Sequence, residues 1–485
     1  MSSNRHVLPT VHLQSSAEIS TVDFEGTTFR ANAGEPLAVA LFAEGIRVLA
    51  RSPKFHRPRG AFCFDGHCGG CLLRIDGQPN VRACMTPVSP GIRAEGQNAF
   101  PSTEIDLLEM ADWMFPGGMD HHTLMTGNRV ANRFLVGLVR QMGGSGTLPD
   151  TAAPAGPAPR ERHVDVVIVG GGPAGLSAAA SLSTAAPALR VLLVDEQSGP
   201  GGSWRAEPDA QTRGDDLVAQ LRASNVEILS RATAIAFYPR ENEEKQGNED
   251  SQDNDVRHNN DGQTPHALGD SSPSGTLAVV VADGGNSPPG LLKISARRFL
   301  YATGSYDQNL PFDDNDRPGI ISARACGRMA FLHGVRPGKR IAIVGDCDYG
   351  DRLAAGLIQA GLKPERVVRV DPRRDNVTIV GARGASTLRG LTLRDSSGDA
   401  RDINADVVAI ATRGAPASEL PRQHGARIAF GEARGGFAVV VDPQFETSAP
   451  HVHACGDVTG YVGPAEAARA GHAAGLALAR ACTLT

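Results

Sequence analysis

Cys63, Cys68, Cys71 and Cys84 follow the pattern C-x4-C-x2-C-x12-C, and no other feature narrows the folding options of this chain as far. Four of its eight cysteines fall within this one stretch. In a reducing compartment such a group reads as metal ligation before it reads as disulfides. The first three match the plant-type [2Fe-2S] loop, with a fourth ligand arriving from a later strand. A loop that wraps a compact cluster must bring backbone close to sulfur. Gly66, Gly69 and Gly70 permit that approach, and their N–H groups can donate to the sulfurs and raise the reduction potential. Zinc usually takes two short Cys-x-x-Cys knuckles, and only one is present. A redox Cys-x-x-Cys would leave Cys63 and Cys84 without a role. His67 lies inside the loop, but four cysteines complete the ligand set, so its imidazole is expected to face solvent.

The flanking pattern suits a small β-grasp domain over residues 1–100. Ile19 to Arg30 alternates apolar and polar residues around Glu25-Gly26, as a hairpin does. Glu35 to Gly45 has helical apolar spacing and ends on glycine. A short strand, Leu72 to Ile75, and the turn Asp76-Gly77 follow the cysteine loop.

A second signal begins at Val164. The apolar strand runs into Gly170-x-Gly172-x-x-Gly175 and an Ala-rich helix, and a further strand, Val191 to Val194, ends at Asp195-Glu196. In such a unit the first glycine makes the turn, the second lets backbone approach a pyrophosphate, and the third lets helix and strand pack. The helix N-terminus, at Pro173 and Ala174, favours phosphate charge. Glu196 stands where a carboxylate receives ribose hydroxyls, and it would repel a 2′-phosphate, so NADP is disfavoured there. On these residues alone FAD and NAD both remain occupants. Later segments resemble two-dinucleotide-domain flavoproteins: Gly201-Gly202, the strand end at Thr303-Gly304, and Gly456-Asp457 before a helix from Gly463 to Ala481. That resemblance implies FAD, with Asp457 at its ribityl-pyrophosphate.

A second strand–loop–helix start, Lys339 to Gly350, has Cys347 where the middle glycine belongs, with Asp346 and Asp348 beside it. The thiol would obstruct phosphate approach, so a degenerate lobe is expected; Asp371, Arg373 and Arg374 after the next strand keep a nucleotide in contention. The expected order is an α+β and α/β multidomain chain. The β-grasp [2Fe-2S] domain (1–100) is followed by a helical bridge (101–142) and a Gly/Ala/Pro linker (143–160). Then come the first part of the FAD lobe (161–337), a second dinucleotide-binding-like lobe (338–440) and the rest of the FAD lobe (441–485). The stretch 240–275 is rich in acids and amides and reads as a disordered surface insertion.

A net charge of −5 gives no basic face for nucleic acid, and no apolar run approaches the roughly 18 residues a membrane span needs. Met1 to Ser16 does not read as a signal peptide, so the expected compartment is the cytoplasm. Cys326, Cys347, Cys455 and Cys482 are scattered and read as inert, which argues against a disulfide relay. The pair His121-His122 has no partners at ligand spacing and reads as structural.

The order of these parts, with Arg57 to Gly60, Asn80 to Cys84 and Asp112 to Pro116, resembles the α subunit of heterotetrameric sarcosine oxidase and its relatives. Those relatives include subunits of hydrogen cyanide synthase and of opine, proline and hydroxyproline dehydrogenases. Two departures stand out. The oxidase α subunit continues into a folate-binding domain after the flavoprotein lobe, and it lacks the full set of cluster cysteines. The chain therefore looks closer to the dehydrogenase-type relatives. The resemblance implies an electron-transfer subunit that passes electrons through FAD and [2Fe-2S]. A β-type FAD-dependent amine or amino-acid oxidase-like partner would bind the small amine or imino acid, with the option of a further small subunit. Two other readings stand beside it: a self-sufficient NADH-dependent flavin/[2Fe-2S] reductase, resting on Ile341 to Leu357, and a non-catalytic nucleotide-binding scaffold.

Overall fold

The structure is a computed structural model that describes residues 18–53, 55–107, 156–208, 211–239, 275–284 and 287–483. The expected bridge from residue 108, the linker up to 155, Asp112 to Pro116, His121-His122 and the insertion 240–274 lie outside them. Contacts divide the chain into two compact units. One comprises 1–154, 203–212 and 306–414, and the other 155–202, 213–305 and 415–485.

The first unit opens with a hairpin of β1 (Ile19–Phe24) and β2 (Thr27–Asn32). Glu25 and Gly26 both take positive φ, as a two-residue hairpin turn requires. Helix α1 (Leu37–Ala43) is buried on every side, so each of its large apolar side chains contributes on the order of 1.5–3 kcal/mol. Two short strands, β3 (Ala50–Arg51) and β4 (Pro58–Arg59), precede the cysteine loop. Then come β5 (Leu72–Ile75), β6 (Gln78–Arg82) and β7 (Ile92–Glu95). The five-stranded sheet runs β2-β1-β7-β5-β6, with β1 and β7 parallel and the other pairs antiparallel. A mixed sheet of this order holding one buried helix is the β-grasp arrangement expected from the sequence.

The same unit contains a second lobe. Four parallel strands order as Ile320–Ser322, Val407–Ile410, Ile341–Val344 and Val367–Val370, and a three-stranded antiparallel sheet spans Val377 to Asn404.

The other unit is built on a sheet of seven strands. Strand β8 (Arg160–Val169) leads into helix α2 (Pro173–Ala185), β9 (Val191–Val194), helix α3 (Gln211–Arg222) and β10 (Val226–Leu229). Then follow β11 (Ala232–Pro239), β12 (Gly275–Val281) and β13 (Gly290–Tyr301). The order is β10-β9-β8-β13-β12-β11, and Val452–Ala454 also pairs with β13. Strand β9 and the adjoining ends of β8 (Val166 to Val169) and β13 (Phe299 to Tyr301) are apolar and buried, as parallel strands covered on both faces are. Pro239 pairs with Gly275, so the acidic insertion leaves and returns at the tip of the β11–β12 hairpin.

Candidate functional site

The cysteine loop connects β4 to β5, and Cys84 follows β6, so all four thiols come to one end of the β-grasp sheet. Cys63, Cys71 and Cys84 are buried, while Cys68 is exposed beside His67 and Gly69. The thiols pair two and two. A shared hydrogen bond raises the Cys63 thiol and holds Cys68 down to about 5, and a second one lowers Cys71 and raises Cys84. Backbone amides converge on the same sulfurs. Gly66 N–H reaches Cys84 Sγ at 3.2 Å, Cys68 N–H reaches Cys63 Sγ at 3.3 Å, and Gly70 N–H reaches Cys68 Sγ at 3.4 Å. Gly70 is required on steric grounds, since a Cβ there would lie 2.4 Å from the Gly60 carbonyl oxygen. Phe64 sits in the left-handed region (φ 53°) and stacks edge-on against Phe42 of α1.

Among the described residues, no three His, Cys, Asp or Glu side chains converge to hold a single metal ion. Four cysteine thiols at one loop suit a binuclear cluster with two protein ligands on each iron. His67 is exposed, as expected, with its ring 4.8 Å from Tyr306.

A buried polar network backs this loop. Arg328 donates through Nη2 to the Cys63 carbonyl at 2.6 Å and pairs with Asp65 at 3.2 Å and Asp307 at 3.6 Å. Asp307 also accepts from Ser322 and Arg324. Burial alone would push its carboxyl up, but Arg324 and Arg328 hold it below the usual carboxylate range.

In the other unit the glycine loop separates three jobs. A Cβ at Gly170, whose φ is 104°, would lie 2.3 Å from the Ala302 oxygen, and one at Gly175 would lie 1.8 Å from the Gly170 oxygen. A Cβ at Gly172 would meet nothing nearer than Gly202 Cα at 3.8 Å. Gly172 is also the N-cap of α2 and gives it no side-chain cap, with Pro173 at its first position. An open N-terminus over a glycine floor fits a pyrophosphate. Gly202 closes over it, and Gly201 N–H donates to the Gly171 oxygen at 2.7 Å.

Asp195 is buried, and its two oxygens accept from Gly171 N–H at 2.6 Å and Gln197 N–H at 2.8 Å, which holds the loop in shape. Half-buried Glu196 follows it. Thr303 donates its hydroxyl to the Ala417 oxygen, while Gly304 takes φ 75° with open space around its Cα. Asp457 accepts from the Ser305 hydroxyl at 3.0 Å and from the amides of Val462 and Gly463 at 3.0 and 3.1 Å, just before helix Pro464–Thr483. Gly471 of that helix abuts Ala174 of α2, because a Cβ there would lie 2.0 Å from the Ala174 oxygen.

The second lobe's loop is filled from within. Arg369 donates to the carbonyls of Gly345 at 2.8 Å and Val370 at 2.6 Å and pairs with Asp351 at 3.0 Å. A Cβ at Gly350, the third glycine position, would lie 2.8 Å from its guanidinium. Arg373 pairs with Asp346, and Arg374 with Asp351. Cys347 is buried.

Comparison with known proteins fits both halves. The pyridine nucleotide-disulphide oxidoreductase family matches residues 164–474. The chain belongs to this family. A 2Fe-2S iron-sulfur cluster binding domain matches residues 18–99, so the chain is an oxidoreductase with a [2Fe-2S] domain ahead of a flavoprotein domain. The alpha subunit of sarcosine oxidase from Rhizobium meliloti is 30% identical over 418 residues, covering 83% of this chain and 38% of that protein. An opine oxidase subunit from the same organism is 24% identical, over 65% of this chain and 70% of its own. The HcnA subunit of hydrogen cyanide synthase from Pseudomonas aeruginosa is 44% identical over 85 residues, or 17% of this chain and 81% of its own. These are the relatives the sequence resemblance implied. The chain spans about two fifths of the length of the sarcosine oxidase subunits it matches. An L-proline dehydrogenase structure from P. horikoshii shares the fold with a TM-score of 0.67 at 20% identity, over 96% of this chain and 74% of that one. No helix of the described residues is long and apolar enough to cross a membrane.

Proposed function

We propose that this chain is the FAD- and [2Fe-2S]-carrying subunit of a heteromeric amine or imino/amino-acid dehydrogenase of the sarcosine, proline, hydroxyproline or opine type. Cys63, Cys68, Cys71 and Cys84 hold the cluster. Gly170, Gly172, Pro173, Ala174, Gly175, Gly201 and Gly202 form the pyrophosphate cradle, and Glu196 takes ribose hydroxyls. Asp195 shapes the loop, and Thr303, Gly304, Gly456 and Asp457 close the crevice at the strand ends. When bound, the flavin supplies two-electron chemistry and the cluster one-electron steps. The protein's part is to hold both groups and to keep Cys68 at the exposed edge of its loop.

The observation that carries this reading is one chain with four cysteines gathered at one loop, backbone amides on their sulfurs, and an open glycine cradle at a helix N-terminus. Substrate oxidation is assigned to a β-type flavoprotein partner; the relatives' being named as subunits supports the existence of partner subunits. The NADH-linked alternative is disfavoured by the packing of the second lobe's loop, where Arg369 holds the Gly345 carbonyl and its guanidinium lies against Gly350. The test is dye reduction with sarcosine, proline, hydroxyproline and opines by the isolated chain and by its complex with the partner. Turnover that needs the partner, and that drops in Cys68→Ser while the partner's flavin is still reduced, supports the proposal. Robust amine oxidation by the isolated chain overturns it.

A further inference from the structure

We propose that Arg328 is a positioning residue that sets the reduction potential of the cluster, an inference that rests on the four cysteines being its ligands. Arg328 lies 265 positions from Cys63 in sequence, yet its Nη2 donates to the carbonyl of that residue at 2.6 Å. It is 8% exposed, and its Nε–H has no hydrogen-bond partner among the described residues. Burying a cation with one donor left over is unfavourable for the fold alone.

The surrounding elements hold it there. Ser322 caps helix α4 (Ala323–Gly327) by accepting from Ala325 N–H at 2.9 Å, and the same hydroxyl donates to Asp307 at 2.7 Å. Arg328 then opens a π-helical turn, Arg328–Leu332, where His333 N–H donates to its carbonyl at 3.1 Å. Such turns recur at functional sites because the extra residue re-aims a side chain. Here the side chain is aimed at the backbone of a ligating cysteine.

The sign of the effect follows from charge. Reduction adds one negative charge to the cluster. A guanidinium bonded to the Cys63 carbonyl stabilises that added charge and draws electron density from the ligand, so it raises the potential. Asp65 and Asp307 oppose it. A plain tether between elements would hold the loop without moving the potential.

The experiment is an anaerobic redox titration of the purified chain, with the cluster followed by electron paramagnetic resonance. Arg328→Gln keeps an N–H donor for the Cys63 carbonyl and removes the charge. Its expected effect is a fall of about tenfold in the reduction equilibrium, or ~59 mV for one electron. Arg328→Lys, which keeps the charge, recovers at least half of that shift. A midpoint in Arg328→Gln equal to the wild type overturns the inference. If Arg328→Gln does not retain iron, Asp307→Asn decides. Loss of that counter-anion should raise the midpoint, and an unchanged or lowered one overturns the inference. Wild-type chain with no iron would end the underlying ligand assignment as well, which separates the two failures.

Discussion

Gly172 and Gly175 share one motif and differ in what they can tolerate. Gly175 touches the Gly170 oxygen, so any side chain there drives α2 off its strand. Gly172 faces open space, so a side chain there enters only the path proposed for the pyrophosphate. Gly172→Val should therefore lose FAD while the flavin-free chain melts within a few degrees of flavin-stripped wild type. Gly175→Val should lower the yield of folded protein. Flavin content and thermal melting of the two variants check the contrast. His453 offers a separate test. Burial, aided by Arg298, pushes its pKa down to about 4, and its Nδ1 has no partner among the described residues. Unfolded chain binds a proton near 6.5 that the folded chain refuses until about 4. Stability is thus intact above 6.5 and falls as the pH drops through that window, by about 2 kcal/mol between pH 7 and 5 at 1.36 kcal/mol per unit. His453→Phe should lose less of its urea midpoint over the same interval. At this scale the cysteines and glycines were legible because spacing alone implies their chemistry. Arg328 and Arg369 were not, because the loops and helix that hold Cys63, Asp307, Gly345 and Asp351 lie far from them in sequence and no local pattern couples them. The loop-holding job of Asp195 was hidden for the same reason, since a carboxylate after that strand reads equally as a ligand contact.

At the scale of elements, periodicity and turn chemistry did most of the work. The Glu25-Gly26 hairpin, α1, the strand before Gly170 and the strand after Lys339 all stand within a few residues of their expected places. Strand order was beyond the sequence, because parallel pairing of β1 with β7 depends on contacts some seventy residues apart. The substitution of Cys347 for glycine points to a degenerate second lobe, and the structure adds Arg369, whose guanidinium donates to the Gly345 and Val370 carbonyls beside that loop. Millimolar NADH should then leave the melting temperature of the chain unchanged, since a ligand stabilises only by binding the folded state. A rise of several degrees, or bleaching of the bound flavin by NADH, would revive the reductase alternative.

At the scale of the whole molecule, a [2Fe-2S] domain and a flavoprotein domain stand in one chain. The segment 306–414 counts with the N-terminal domain in one compact unit, and Arg328 within it, paired with Asp307, reaches the ligand loop. The sequence order of the domains did not reveal that grouping. The most direct measurement of the central claim is iron, zinc and flavin analysis of anaerobically purified chain, run beside Cys84→Ser. About two irons and one FAD per wild-type chain are expected, with iron lost and FAD retained in the variant. Zinc in place of iron, or a flavin-free chain that holds NAD, would contradict it.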